Sequence, residues 1–229
     1  AAIIVLILKP GKPANLGSSY RPISLLSPAA KVLEHLILPF VTADLPKSDT
    51  QHGFSPLHSC TSALLPIATR VAIGFNDPKP ARRSAMCAVD ISKAFDAINH
   101  TLLLEQISSS PLPHNLVRWL AAYIRGRSAR CIYGTALSKP MILRSGVPQG
   151  SVLSPALFNF FVSDCPSMSD ILSSYADDFS ALESDADLET LSRKLQEAVT
   201  PIVEWAARKK LTIAPAKSQV TLFPSGSCH

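Results

Sequence analysis

Three aspartates stand at positions where their carboxylates could do chemistry together. Asp177 and Asp178 are adjacent inside an apolar stretch, and Asp90 ends another apolar run earlier in the chain. Carboxylates held side by side repel each other, so both stay ionised only when a cation lies between them. Mg²⁺ prefers oxygen ligands, so this set predicts a divalent metal site. The alternative is that Asp177 and Asp178 mark only a solvated turn, as short acidic motifs often do.

The flanking residues predict the elements that present these carboxylates. Strand-forming residues on both sides of Asp177 and Asp178 predict two short strands joined by a tight turn, with the aspartates at its tip. The apolar run at 84–91 predicts a buried strand that carries Asp90 at its end. Two metal ions about 3.5–4 Å apart in such a cage can activate an attacking hydroxyl and stabilise a leaving oxygen. The chemistry that fits is phosphoryl transfer.

Three motifs follow one another along the chain: VDISKAFD at 89–96, SGVPQGSVLSP at 145–155 and YADD at 175–178. In this order they resemble the palm motifs of reverse transcriptases, and more narrowly the reverse transcriptase domain of non-LTR (LINE-type) retrotransposons. The resemblance runs from about Leu8 to Phe223. It implies an α+β fold of right-hand polymerase fingers and palm, with an antiparallel palm sheet backed by helices. The thumb is expected to be absent from this chain.

The resemblance also implies a role for particular residues. Asp90, Asp177 and Asp178 would be the catalytic carboxylates and would bind two Mg²⁺ ions, with Mn²⁺ as the alternative ion. The residues implied to contact the incoming nucleotide are Lys9, Arg21, Phe95, Gln149, Gly150 and Lys217.

Arg21 suits a triphosphate because its planar guanidinium can donate two hydrogen bonds at once. Phe95 would lie beneath the sugar and exclude the 2′-hydroxyl that distinguishes RNA precursors from DNA precursors. Two alternatives stay open: Lys9 and Arg21 as solvated surface charges, and the Gln149 turn as purely structural.

The implied function is RNA-directed DNA polymerisation, in which a deoxynucleotide is joined to a primer 3′-hydroxyl. The implied partners are an RNA template, a DNA primer and a dNTP, and the full element would add endonuclease and thumb regions. A second hypothesis is a catalytically inactive, nucleic-acid-binding remnant of a decayed element. Ser55 favours it, since the family usually has Arg there, and so does Ala214, where Asn is common. A group II intron or retron reverse transcriptase is a lesser alternative.

Composition sets broader limits. The 229 residues carry a net charge of +5 and a pI near 9.0, which fits a polyanionic partner or simply a mildly basic protein. Five scattered cysteines argue against a disulfide framework or zinc site and for a reducing compartment. An intracellular location, in cytoplasm and nucleus, is expected. The apolar start is too short to span a bilayer, so no membrane partner is expected.

The domain and helix boundaries can also be predicted. Within a single reverse transcriptase domain, a fingers-like region that includes part of the palm helices is expected at 1–83, a palm region at 84–223 and a tail at 224–229. Apolar residues at helical spacing predict helices at 29–45, 59–73, 114–126, 151–161 and 187–211. A further helix is expected to start near Ile98, with Asp96 as its N-terminal cap.

Overall fold

The computed structural model describes residues 2–78 and 80–224. In these residues the helices are α1 Pro28–Asp44, α2 Cys60–Asn76, α3 Ala94–Ala97, α4 His100–Ser108, α5 His114–Ile124, α6 Ser154–Phe161 and α7 Leu188–Arg208. The strands are β1 Ala2–Leu8, β2 Tyr20–Leu25, β3 Arg83–Asp90, β4 Ser128–Tyr133, β5 Ala136–Leu137, β6 Met141–Ile142, β7 Ile171–Tyr175, β8 Asp178–Asp185 and β9 Gln219–Phe223. Helices and strands mix along the chain, so the predicted α+β class is confirmed.

These elements belong to two compact units that interleave along the chain. Unit 1 is Ala1–Pro46 with Phe95–Phe161, and unit 2 is Lys47–Ala94 with Val162–His229. The chain therefore enters each unit twice, whereas the predicted regions divide at a single boundary after residue 83. The assignment of regions to fingers and palm stays a prediction, and residues 225–229 of the predicted tail lie outside the described residues.

Unit 1 contains a sheet of strand order β2-β1-β4-β5, in which β6 also pairs with β4. β1 is antiparallel to β2 and parallel to β4. Helix α1 begins after Ser27, whose side chain accepts a hydrogen bond from the Ala30 amide, and it continues through Pro39. Helices α4 and α5 pack against each other. Leu103 on α4 and Leu120 on α5 are fully buried, so these helices contribute to the core of unit 1.

Unit 2 contains an antiparallel sheet of order β7-β8-β3-β9. Ala181 of β8 packs with residues of α7, and its neighbour Leu182 packs with residues of α2. Successive side chains of a strand point to opposite faces, so α7 and α2 cover opposite faces of this sheet. This is the predicted antiparallel sheet backed by helices.

The five predicted helices are all present, with ends shifted by a few residues, but the predicted cap at Asp96 is wrong. Helix α4 begins after Asn99, whose Oδ1 accepts hydrogen bonds from the amides of Thr101 at 3.0 Å and Leu102 at 3.1 Å. Asp96 lies inside the short α3 instead. Asn caps a helix as well as Asp does, so the residue nearest the helix start takes this role.

No described helix combines the length and the apolar character needed to cross a membrane. Four cysteines are free thiols, namely Cys60, Cys87, Cys131 and Cys165. Cys228 lies outside the described residues.

The turn at Gly146 yields a stability prediction. Gly146 has φ of +81°, and a Cβ added there would lie 2.8 Å from Asp96 Cα and 2.9 Å from Asp96 O. We expect Gly146→Ala to destabilise the chain by roughly 2 kcal/mol and to lower the Tm by roughly 4–8 °C. The matched control is Gly134→Ala, because Gly134 has a similar φ of +58° but open space around its Cβ position. Equal Tm losses in a thermal melt would show that contact with Asp96 does not matter.

Candidate active site

Asp90 and Asp178 lie directly opposite each other in the sheet of unit 2. Asp90 is the last residue of β3, Asp178 is the first residue of β8, and the two are partners in the antiparallel ladder. Side chains of such partners share one face, with their Cβ atoms about 4.5–5.5 Å apart. The face is the one covered by α2, since Leu182 lies four residues further along β8 and therefore on the same side. The strand register alone therefore brings two predicted catalytic carboxylates together.

Asp177 lies in the turn that joins β7 to β8. Tyr175 pairs with Asp178, which leaves Ala176 and Asp177 as a two-residue turn. Ala176 has φ of +56°, and Asp177 is not among the residues with positive φ. Positive φ at only the first central residue is the pattern of a type II′ turn, a hairpin turn that matches the twist of its strands. The predicted tight turn with carboxylates at its tip is confirmed.

The three carboxylates of this cluster share one electrostatic environment. Desolvation raises the pKa of Asp177, and the nearby Asp90 charge raises it further, against lowering contributions from a backbone hydrogen bond and Lys217. Desolvation also raises the pKa of Asp178, followed by the charges of Asp177 and Asp90, with Lys217 opposing. Both acids therefore give up their protons less readily than isolated aspartates, as expected where like charges gather.

Lys217 reaches this cluster from the segment between α7 and β9. Its Nζ lies 2.9 Å from Asp90 Oδ2, and this hydrogen bond is the main cause that raises the pKa of Lys217. The backbone holds the segment in place, because the Ala214 amide donates to Asp90 O at 2.8 Å. The Asp90 amide in turn donates to Ser218 Oγ at 3.3 Å. The structure thus places the predicted nucleotide contact Lys217 beside a predicted catalytic aspartate.

The donor set of this cluster fits a divalent cation. Asp90, Asp177 and Asp178 offer only carboxylate oxygens. Desolvation first, and the neighbouring negative charges in addition, raise the pKa values of Asp177 and Asp178, and a cation would offset those charges. Across the described residues, no group of three or more His, Cys, Asp or Glu side chains is arranged as a ready metal cluster. Asp90 and Asp178 are therefore partners in the strand register, and Asp177 is near enough for the Asp90 charge to raise its pKa. The three carboxylates do not form a closed cage.

A pocket of about 460 Å³ lies beside the carboxylates within unit 2. Asp90, Asp178 and Lys217 form its charged side, and Ala63 and Ile67 of α2 are among the apolar residues that line it. A polar reacting group could approach the carboxylates here while an apolar body rests on α2. The carboxylates therefore lie at an accessible surface rather than in the core.

Unit 1 brings three of the predicted nucleotide contacts close together. The Phe95 ring stacks on Phe158 at 4.7 Å between centroids, with 12° between the ring planes. Gln149 Nε2 donates to Asp96 Oδ1 at 3.0 Å, and Gln149 O accepts from the Ser24 amide at 2.8 Å. Gly150 follows at φ of +113°. These two hydrogen bonds hold the turn at Gln149 and Gly150 against both α3 and β2.

Gly150 lies so close to β2 that a larger residue would not fit without a shift. A Cβ added there would be 2.9 Å from Ser24 O, and its φ is one that other residues rarely adopt. Lys9 follows directly after β1, and its Nζ donates to Ser18 O at 3.0 Å. Arg21 is exposed on β2. These two contacts, like Phe95 and Gln149, lie in unit 1, whereas the aspartates and Lys217 lie in unit 2.

Two buried polar residues hold the turn at Ala176 and the loop before α6, and the sequence predicted no role for either of them. Gln51 is 3% exposed and hydrogen-bonds both the N–H and the C=O of Ala176. Glu34 is 2% exposed and accepts hydrogen bonds from Ser151 and from the amide of Val152. The signal for Glu34 was a charged residue among the apolar residues in the middle of α1. Gln51 stands in a polar stretch, where nothing in the sequence separates it from a surface residue.

The comparisons with known proteins agree with this architecture. A family model described as reverse transcriptase (RNA-dependent DNA polymerase) matches residues 7–227. The chain is 34% identical, over 95% of its length, to a probable RNA-directed DNA polymerase from transposon BS of Drosophila melanogaster. It is 31% identical, over 97% of its length, to the RNA-directed DNA polymerase from mobile element jockey of Drosophila funebris. It spans 25% of the length of each relative.

A solved structure gives the fold independently of close sequence similarity. Telomerase from Candida tropicalis, in complex with a fragment of telomeric RNA, superposes with a TM-score of 0.66 over 99% of this chain and 41% of its own. The identity is 14%, so the likeness concerns the fold alone. Together with the Asp90–Asp178 register and the carboxylate turn, these matches confirm the predicted fingers-and-palm fold. The chain belongs to the reverse transcriptase family, and it is a reverse transcriptase domain of the LINE type.

Proposed function

We propose that the chain is the polymerase region of an RNA-directed DNA polymerase of a non-LTR retrotransposon. In the reaction, the primer 3′-oxygen forms a bond to the α-phosphorus of a dNTP, the bond between that phosphorus and the bridging oxygen breaks, and pyrophosphate leaves. One observation carries the proposal: Asp90 and Asp178 face each other across two strands, with Asp177 in the adjoining turn. Nothing in the packing of the sheet requires three acids at this end of β3 and β8.

In this proposal Asp90, Asp177 and Asp178 hold two Mg²⁺ ions, with Mn²⁺ as the alternative. Divalent cations bound there would lower the pKa of the attacking hydroxyl and neutralise charge on the leaving group. Lys217, whose ammonium contacts Asp90 Oδ2, is placed to balance negative charge at the same edge of the sheet. The chain itself contributes mainly positioning and charge, which is what phosphoryl transfer requires.

In this proposal five of the six nucleotide contacts belong to unit 1, and Lys217 belongs to unit 2. Arg21 and Lys9 bind the triphosphate, and Gln149 and Gly150 border the nucleotide and template. Support comes from the fastened turn at Gln149, which is hydrogen-bonded to Asp96 and Ser24 and is therefore preorganised. The partners are an RNA template, a DNA primer and a dNTP, with endonuclease and thumb regions in the full element. We also propose an intracellular location, in cytoplasm and nucleus.

Primer extension on an RNA template tests the proposal directly. The chain is incubated with Mg²⁺, deoxynucleotides and a labelled DNA primer, and products are compared with those of a reaction that contains EDTA. We expect metal-dependent addition of template-directed nucleotides. A folded chain that binds template and primer but adds no nucleotide under any divalent cation would contradict the polymerase assignment.

That negative result would support the second candidate, a nucleic-acid-binding remnant without activity. Two positions favour it. Ser55 Oγ donates to Gln51 O at 3.0 Å and serves the local loop instead of offering a charge to a template. Ala214 brings no side-chain amide to Asp90, although its backbone amide does donate to Asp90 O. Binding that weakens steeply with salt, without incorporation, is the expected behaviour of this candidate.

Phe95 yields a prediction on sugar selection. Its ring is held by stacking on Phe158, so a clash with a 2′-hydroxyl cannot be relieved by a simple ring rotation. We expect Phe95→Ala to raise ribonucleotide incorporation relative to deoxynucleotide incorporation by roughly tenfold or more, measured as the ratio of kcat/KM values. Trp119→Ala is the control, since Trp119 stacks on Tyr123 and has no proposed nucleotide contact. An unchanged ratio in Phe95→Ala would remove the sugar-selecting role.

A further inference from the structure

The two-residue turn of Ala176 and Asp177 is held by hydrogen bonds from the side chain of Gln51, which is far away in the sequence. Gln51 Oε1 accepts a hydrogen bond from the Ala176 amide at 2.8 Å, and Gln51 Nε2 donates to Ala176 O at 2.9 Å. The same Oε1 accepts from the Gly53 amide at 2.8 Å. All of these groups are in unit 2, and Gln51 is 3% exposed. The amide side chain therefore satisfies both backbone polar groups of one turn residue.

Ala176 needs such support because its backbone conformation is unfavourable. Its φ of +56° lies in the left-handed region, and the first central position of a type II′ turn normally carries Gly. A non-glycine residue there costs on the order of 1–3 kcal/mol, and it persists only where the surroundings fix it. The paired hydrogen bonds from Gln51 supply that fixation, one residue before Asp177.

The segment around Gln51 is itself anchored to the hairpin. Backbone hydrogen bonds of 2.8 Å join the His52 amide to Ser174 O and the Ser174 amide to Thr50 O. Gln51 and Ser174 form a parallel bridge, so the segment extends the sheet at the free side of β7. The hydrogen bonds to Ala176 thus come from a segment that is itself bridged to β7 through the backbone.

Gly53 lets the segment come this close. A Cβ added to Gly53 would overlap the Ala176 amide nitrogen and lie 2.9 Å from Ala176 Cα. Gly53 is buried, and its own amide shares the Gln51 oxygen with Ala176. Any larger residue at this position must push the turn away or pull the Gln51 segment out.

We infer that Gln51 is a positioning residue of the polymerase reaction, which acts with the close approach of Gly53 to fix the turn that carries Asp177. The inference rests on the proposed function, because positioning has a catalytic meaning only if Asp177 takes part in catalysis. The side chain of Gln51 is hydrogen-bonded to the backbone of Ala176 and Gly53, so no contact with the substrate is assigned to it. It acts through Ala176 by holding Asp177 where Asp90 and Asp178 present their own carboxylates.

The test compares variants of the chain in primer extension, thermal unfolding and amide hydrogen exchange. Gln51→Ala removes the three hydrogen bonds, Gln51→Glu keeps the accepting oxygen but loses the donor to Ala176 O, and Gly53→Ala introduces the overlap with Ala176. The matched control is Ser173→Ala, which removes a buried hydrogen bond of 2.9 Å to Ala63 O from the same hairpin without touching the turn. Gly17→Ala controls for the glycine change, because its Cβ position is open.

We expect Gln51→Ala and Gly53→Ala to lower kcat by roughly tenfold or more, since small misplacements of catalytic groups have large effects. The KM for dNTP should stay within about twofold, and the Mg²⁺ concentration for half-maximal activity should rise. Gln51→Glu should lie between Gln51→Ala and wild type. Ser173→Ala and Gly17→Ala should keep kcat within about twofold of wild type when assayed below their Tm.

Two readouts do not depend on activity. The Ala176 amide should exchange roughly tenfold faster or more in Gln51→Ala, with little change at β3, because its buried acceptor is gone. The Mg²⁺-induced rise in Tm should shrink in the same variant. If exchange at Ala176 and the Mg²⁺ response match those of Ser173→Ala, the inference is wrong. A wild-type chain without incorporation would count against the proposed polymerase, and these two readouts would still decide whether Gln51 holds the turn.

Discussion

Asp177→Asn should reduce primer extension by roughly a thousandfold or more and, in metal-free buffer, should raise the Tm of the chain. The loss of activity follows because the variant removes one of three carboxylates that share the end of β3 and the adjoining hairpin. A neutral amide neither holds a divalent cation as tightly nor stabilises the charge that shifts during phosphoryl transfer. Template binding should stay close to wild type, since the change leaves the positive residues of the chain untouched.

The gain in stability follows from the sign of the pKa shift. Desolvation first, and the Asp90 charge in addition, raise the pKa of Asp177 above its ordinary value. The folded chain therefore binds this proton more tightly than the unfolded chain, where the pKa is about 3.9. The contribution to stability is fully present below that unfolded value and is lost as the pH rises through the raised folded value. At neutral pH the ionised Asp177 opposes folding, and an amide does not.

Thermal melts at several pH values, with and without Mg²⁺, check both halves of this prediction. The Tm advantage of Asp177→Asn should shrink as the pH falls towards about 4, because the wild-type carboxylate becomes protonated. Mg²⁺ at about a hundred times its Kd should stabilise the wild type by about 2.7 kcal/mol, or roughly 5–11 °C, and the variant by less.

Asp170→Asn is the control for a general effect of removing an acid from unit 2. It breaks an ion pair of 2.7 Å with Arg70 at a partly exposed position, so a change of less than about 1 kcal/mol in stability and unaltered extension are expected. If Asp177→Asn still extends primers at more than about a tenth of the wild-type rate, Asp177 does not belong to the catalytic set.

The sequence predicted the parts of the site that depend on local patterns. An apolar run ending in Asp90 and β-formers around Asp177 are strand and turn signals, and both were found where the pattern placed them. The pairing of Asp90 with Asp178 is a matter of register between distant strands, which composition and periodicity do not contain. The sequence therefore predicted that the three carboxylates act together, but not which of them are partners across two strands.

The missed features are buried polar contacts between segments far apart in the chain. Gln51 lies in a polar stretch that reads as a surface loop, yet it is buried because its segment pairs with β7. Asp96 read as a helix cap because acids favour that position, but the helix starts after Asn99. In each case tertiary packing decided between local options of similar free energy, and only the folded chain shows the outcome.

Glu34→Ala should destabilise unit 1 strongly, with an expected loss of roughly 3 kcal/mol and a Tm lowered by roughly 6–12 °C. Glu34 Oε2 accepts hydrogen bonds from Ser151 Oγ and the Val152 amide, each at 2.7 Å, and from the Leu153 amide at 3.3 Å. Its Oε1 accepts from Tyr123 OH at 3.2 Å. The carboxylate is 2% exposed, so water cannot easily replace it when it is removed.

The cost of this change is set by the donors that stay behind. The Val152 amide loses its acceptor Glu34 Oε2, and a buried backbone donor without an acceptor costs about 1–3 kcal/mol. The Leu153 amide keeps Ser151 Oγ as an acceptor at 3.1 Å. The hydroxyls of Tyr123 and Ser151 lose less, because they remain 2.6 Å apart and bond to each other. The expected damage therefore falls on the backbone that follows Gly150, next to the proposed nucleotide contacts.

Glu34→Gln separates hydrogen bonding from charge. The amide oxygen can take the place of Oε2 and accept from Ser151 and Val152, while the amide nitrogen donates to Tyr123 OH, a group that can also accept. We therefore expect Glu34→Gln to lose less than half of what Glu34→Ala loses in urea and thermal unfolding. Glu105→Ala, an exposed acid on α4, should change stability by less than about 0.5 kcal/mol. Equal losses for Glu34→Gln and Glu34→Ala would mean that the negative charge itself, rather than its hydrogen bonds, stabilises the loop before α6.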